Sequence, residues 1–141
     1  MALFFNKIDA KGRIFIPAKA KTGMGEVMHV MISRDKQFLC VYNEARFQQI
    51  CDSFDDLEMT EEMRAAQRAF LGKQQECELD SQGRISINSS LWDKIGALPQ
   101  TEVAIYTYRD KLEICTKVHF EEEEAKIADM DFEALSNVKG L

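Results

Sequence analysis

The sequence predicts a mainly β protein with helices packed on the strands, an α+β fold built from two copies of one unit. Two observations carry this: a motif that recurs 71 positions apart, and an alternation of apolar residues after each copy. Ile8-Asp9-Ala10-Lys11-Gly12-Arg13-Ile14-Phe15-Ile16-Pro17 returns as Leu79-Asp80-Ser81-Gln82-Gly83-Arg84-Ile85-Ser86-Ile87-Asn88. Further on, Ile32 to Cys40 resembles Thr107 to Cys115, and Phe47 corresponds to Phe120. Two copies in the same order describe a duplicated domain, because a solenoid needs more repeats than this to bury a continuous core.

Each copy begins with a turn. Asp9 and Asp80 can hold it through their own side chains, and Gly12 and Gly83 supply a positive φ without steric cost. Ile14 and Ile16 then alternate with Arg13 and Phe15, as Ile85 and Ile87 do with Arg84 and Ser86, so the isoleucines face inward and the arginines outward. Val27 to Ser33 and Phe38 to Tyr42 flank the polar Arg34-Asp35-Lys36-Gln37, a hairpin signal. Val103 to Tyr108 and Leu112 to Cys115 repeat it around Arg109-Asp110-Lys111. Phe47, Ile50, Cys51 and Phe54 then form a helical stripe. Thr60 caps a second helix that shows Met63, Ala66 and Phe70 on one face, with Gly72 as its stop. Glu121 to Glu124 and Ile127 suggest a final acidic helix, and Ser136 to Leu141 a frayed end.

At 141 residues, the chain suits one domain or two small ones sharing a core. Its 45% hydrophobic content excludes wholesale disorder. No run approaches the ~20 apolar residues of a membrane span, and Met1 to Lys7 has no signal-peptide character, so a cytoplasmic protein is expected. Cys40, Cys51, Cys77 and Cys115 show no Cys-x-x-Cys spacing, and Cys40 and Cys115 lie in apolar strand-like stretches where a thiol serves as a small hydrophobe. His29 and His119 stand far apart with no motif around either. Nothing here composes a catalytic site, and no enzyme, metal or cofactor is expected.

The net charge of −6 is unevenly spread. Lys7, Lys11, Arg13, Lys19, Lys21, Arg34, Lys36 and Arg46 face only Asp9, Glu26, Asp35 and Glu44 in the first fifty residues, whereas each later stretch is acidic. Such asymmetry leaves room for one electropositive face on an acidic protein.

With paired Asp-x-x-Gly-Arg motifs, each followed by an alternating strand, and Arg68-Ala69-Phe70-Leu71-Gly72 ahead of the second, the chain resembles the MraZ family of bacterial transcriptional regulators over about residues 3–120. That family is built from two SpoVT-AbrB-type units. The resemblance implies a double-split β-barrel, with a first unit at 1–48, a helical connector at 49–73, a second unit at 74–120 and an acidic helix and tail at 121–141. It further implies a homo-oligomeric ring in the cytoplasm, associated with the nucleoid. The ring would bind double-stranded DNA at direct repeats upstream of a division and cell-wall gene cluster, with no membrane or small-molecule partner. Arg13 and Arg84 transfer as DNA-binding residues beside Asp9 and Asp80. The chain departs from the family pattern at Phe5-Asn6-Lys7, where a glycine and then a histidine are usual, at Lys21 in place of arginine, and at Asn88 in place of proline.

Taken by themselves, the residues leave two readings. Arg13, Lys11, Lys7, Lys19 and Lys21 either form a DNA-facing cationic surface or are solvated charges, with Arg13 pairing to Asp9 across the turn. Arg84 stands near Asp80 and Asp93 in a nearly neutral field, so the first unit is expected to dominate affinity. Asp9, Gly12, Asp80 and Gly83 are expected to shape the motif, and Phe4, Phe5, Phe15 and Trp92 to pack in the core or an interface. The alternative function is a non-catalytic protein-interaction module of antitoxin type.

Overall fold

The computed structural model describes residues 1–141, the whole chain. Eight strands run β1 (Ala2–Lys7), β2 (Arg13–Phe15), β3 (Val27–Ile32), β4 (Leu39–Asn43), β5 (Gln75–Glu78), β6 (Arg84–Ser86), β7 (Glu102–Thr107) and β8 (Lys111–Thr116). The helices are α1 (Lys21–Met24), α2 (Glu44–Asp55), α3 (Glu61–Phe70), α4 (Ser89–Lys94) and α5 (Lys117–Ile127). The α+β class is as the alternation and hairpin signals require.

The two copies interleave. Six strands form one antiparallel sheet in the order β1-β7-β8-β4-β3-β5, and β2 pairs with β6 in a separate antiparallel ribbon. Exchanging each strand for its counterpart reverses the sheet order and leaves it otherwise unchanged, so a pseudo-twofold axis passes between β4 and β8. Leu39 sits opposite its equivalent Ile114 on that axis, and Ile14 opposite its equivalent Ile85 in the ribbon. The hydrogen bonds repeat about the same axis. Ile16 N–H donates to the Gly83 carbonyl (2.9 Å) and Ile87 N–H to that of Gly12 (3.1 Å). Likewise Ile8 N–H donates to Thr101 and Leu79 N–H to Glu26.

The strands do not close through one continuous ladder, since β1 and β5 remain the edges of the sheet. Side chains span the gap to the ribbon instead: Asn6 Nδ2 donates to the Phe15 carbonyl (3.1 Å) and Gln75 Nε2 to that of Ser86 (2.8 Å).

Ile14, Ile16, Ile85 and Ile87 are all buried with Val30, Val41, Ile105 and Leu112 in one core. Cys40 and Cys115 are buried free thiols, and burial pushes Cys115 up to about 11, which suits packing and not reactivity. Thr60 caps α3 by accepting from Met63 N–H, but the helix ends at Phe70 and Gly72 lies within a following 3₁₀ turn, so Gly72 is not its stop. The last helix starts at Lys117, capped by Thr116 ahead of the acidic run. Trp92 is buried, and its Nε1 donates to the Gly12 carbonyl at 3.0 Å, which fixes it as a core residue.

Ile14→Ala and Ile85→Ala should each lower stability by about 2–5 kcal/mol through cavity formation at the axis. Leu98→Ala, at a position 63% exposed, should stay within about 0.5 kcal/mol of the parent. Urea denaturation midpoints compare them directly.

Candidate nucleic-acid interface

The site is built from two turns and the ribbon they feed. In the first turn the Asp9 carboxylate accepts from the backbone N–H groups of Lys11 and Arg13, both at 2.9 Å, and Gly12 turns the chain at φ 78°. In the second, Asp80 accepts from Gln82 and Arg84 N–H at the same 2.9 Å, with Gly83 at φ 83°. These hydrogen bonds to the ionised form hold both carboxyls below the usual carboxylate range, the backbone N–H of the arginine contributing most in each.

The same carboxylates reach the arginine side chains. Arg13 Nε donates to Asp9 Oδ2 at 2.6 Å and Arg84 Nε to Asp80 Oδ2 at 2.9 Å. Each pairing takes up the inner nitrogen of the guanidinium. The Arg84 Nη1 also lies 3.9 Å from Asp9 Oδ2, so one aspartate serves both copies, and its guanidinium stands 5.8 Å over the Phe15 ring. Arg84 is the more enclosed of the two, with its side chain 17% exposed against 28% for Arg13.

Within the ribbon Arg13 lies opposite Ser86, and Phe15 opposite Arg84. Because Ile14 and Ile85 face the core, strand alternation puts Arg13, Phe15, Arg84 and Ser86 on the other face. A two-stranded ribbon of this kind has the width to enter the DNA major groove, and arginine forks match the paired acceptors of guanine.

The lysines are distributed less evenly. Lys7 at the end of β1, Lys11 in the first turn and Lys19 in the 3₁₀ turn before α1 are all exposed. Their counterparts in the second copy are Glu78, Gln82 and Ser90, which carry no positive charge. Lys21 is half-buried, and its amino group packs against Gly83: a Cβ added there would meet Nζ at 2.5 Å. Its counterpart is Trp92, which packs against Gly12 in the same relation. Each copy therefore braces the turn of the other, a cross-brace that spacing along the sequence does not show.

The family model for the MraZ protein, whose description adds a likeness to antitoxins, matches this chain twice, over residues 3–69 and 70–138. Several relatives carry the name Transcriptional regulator MraZ. The protein of Lachnoclostridium phytofermentans is 33% identical over 114 residues, which cover 81% of this chain and 79% of that one. That of Symbiobacterium thermophilum is 36% identical over 115 residues, covering 81% of each. The relative from Caldanaerobacter subterraneus subsp. tengcongensis is 34% identical over 137 residues, covering 96% of this chain and 93% of its own.

Since the Asp9 and Asp80 carboxyls are held below their ordinary 3.8 in the folded protein, their contribution is complete above that value and lost as pH falls through the lowered ones. Thermal unfolding followed across the acid range should show Tm dropping there. The Asp9→Asn, Asp80→Asn double variant should start from a lower Tm near neutrality and show a flatter acid limb.

Proposed function

The chain belongs to the MraZ family, and from that premise we propose that it is a sequence-specific DNA-binding transcription regulator that reads the duplex with the β2–β6 ribbon. The family is one of transcriptional regulators, not of enzymes. One observation carries the reading: two arginines on the outer face of a narrow ribbon, each tied at Nε by the aspartate of its own turn, with Arg84 also paired to Asp9 through Nη1. The aspartates orient the arginines and do not themselves approach phosphate.

Arg13 has the leading role in this account. It is more exposed than Arg84, and Lys7, Lys11 and Lys19 surround the first motif with charge suited to phosphate. Arg84 adds a second contact, and Lys21 acts through the second turn on which it packs. In the assembled protein the ribbon closes the sheet into the double-split barrel, through the Asn6 and Gln75 side-chain links. Copies join in a ring whose successive ribbons meet direct repeats upstream of a division and cell-wall gene cluster. Linked sites of this kind raise avidity by roughly 10²–10⁴, which lets a chain of net charge −6 hold DNA. The protein works on the nucleoid, in the cytoplasm; no helix is long and apolar enough to cross a membrane.

An apolar groove of about 850 Å³ between the sheet and α2–α3, lined by Met31, Phe38, Ile50, Phe54, Met63 and Phe70, favours a second reading as a protein-interaction module. Fluorescence anisotropy separates the two. With the duplex upstream of the protein's own gene, wild type should bind more tightly than to a scrambled duplex and weaken steeply with salt. Arg13→Ala should cost about 1–3 kcal/mol and most of that preference, and Arg84→Ala less. If Arg13→Ala leaves affinity and preference intact, the arginine assignment is wrong, and equal weak binding to both duplexes would favour the protein-interaction reading.

A further inference from the structure

His29 stands on β3 in the buried core, 3% exposed, and the DNA-binding account gives it no task. Its ring lies flat on Phe47 of α2, with centroids 3.9 Å apart and planes 12° from parallel. Nδ1 is 3.1 Å from Gln74 Oε1, and Nε2 is 2.8 Å from Glu44 Oε2. Glu76 sits directly across from His29 in the β3–β5 register. One ligand atom each from His29, Glu44 and Glu76 falls within 4.8 Å of the other two. Both glutamates are exposed, so the buried imidazole faces an acidic opening to solvent.

A neutral imidazole has one donor nitrogen and one acceptor, yet both ring nitrogens here face acceptor oxygens. With the proton on Nδ1 and donated to Gln74, the Nε2 lone pair points at a carboxylate, a repulsion that a cation between them removes. We infer that His29 Nε2, Glu44 and Glu76 bind a divalent transition-metal ion of the zinc class, with Gln74 holding the ring in its ligating tautomer. One imidazole and two carboxylates suit such an ion, whereas calcium and magnesium take oxygen alone. A ligating histidine held through its far nitrogen is the usual supporting arrangement.

Around a tetrahedral ion with bonds of ~2.0–2.1 Å, ligand atoms stand roughly 3.3–3.4 Å apart. Rotation of the two exposed glutamates can bring the present set to that spacing, and water completes the shell. The positive end of α2, where Glu44 is the first residue, opposes a cation. The ion would tie α2 of the first copy to β5 of the second.

Calorimetric titration of the full chain with Zn²⁺ alone, near neutral pH, tests this. Wild type should take up about one ion per chain, and Glu44→Gln and Glu76→Gln should each weaken binding by about tenfold or more. Both positions are exposed, and circular dichroism verifies that these variants remain folded. Gln74→Ala should also weaken binding, and Cys51→Ser, which removes the one thiol outside the core, should leave it unchanged. No uptake by wild type would overturn the proposal, because a second ring proton or a reversed Gln74 amide then satisfies His29. An isotherm that survives both glutamate substitutions, or that Cys51→Ser abolishes, would overturn it equally.

Discussion

Ile14 opposite Ile85 is the contact on which the rest of the architecture turns. Strands of three residues have too little length to stand as independent sheet, and neither copy of the unit contains a partner for its own. Each must pair with the other, and burying the two isoleucines in the common core sets the register of that pairing. Once they meet, Arg13 and Arg84 emerge on the same outer face, related by the axis that also relates β4 to β8. The first and second hairpins then share a single sheet, with β7 against β1 and β3 against β5. An apolar constraint at the centre thus delivers a polar pair at the surface.

The two copies have kept one backbone and diverged in charge. Asp9 and Asp80 make the same hydrogen bonds at the same places, and both motif glycines adopt the same left-handed turn. Among the side chains around the motif the equivalences break down. Lys7, Lys11 and Lys19 stand against Glu78, Gln82 and Ser90, and Lys21 against Trp92. The last pair is structural on both sides, since an indole and an amino group each close over the opposite glycine. Asp9 alone lies within reach of both arginines. Folding is shared between the halves, while Lys7, Lys11 and Lys19, the lysines around the motif, belong to one.

The motif, its turns and the inward isoleucines were legible because they depend on neighbours a few residues away. An aspartate four positions before an arginine, a glycine between them and a period-two alternation are local patterns with local causes. The hairpins were legible for the same reason. The interleaving was implied only by the family resemblance and not by the residues themselves, because no segment records that β2 pairs with a strand 71 residues further on. The bracing role of Lys21 was hidden too, since its contact lies in the other copy and a lysine beside other lysines reads as one more surface charge. His29 looked isolated because Glu44, Gln74 and Glu76 reach it only through the meeting of β3, β5 and α2. The helix ends at Phe70 and Lys117 differ from expectation because a capping threonine and a 3₁₀ turn set them, ahead of the acidic run and short of the glycine.

The central claim is that the Asp-fixed arginines of the ribbon are the surface that meets DNA. Nuclear magnetic resonance of the ¹⁵N-labelled chain, titrated with the upstream duplex and with a scrambled one, addresses it most directly. The account predicts that the Nε–Hε signals of Arg13 and Arg84, with the amides of residues 11–15 and 82–86, move most and only with the specific duplex. Changes confined to the α2–α3 groove, with both arginine side-chain signals unmoved, would contradict it.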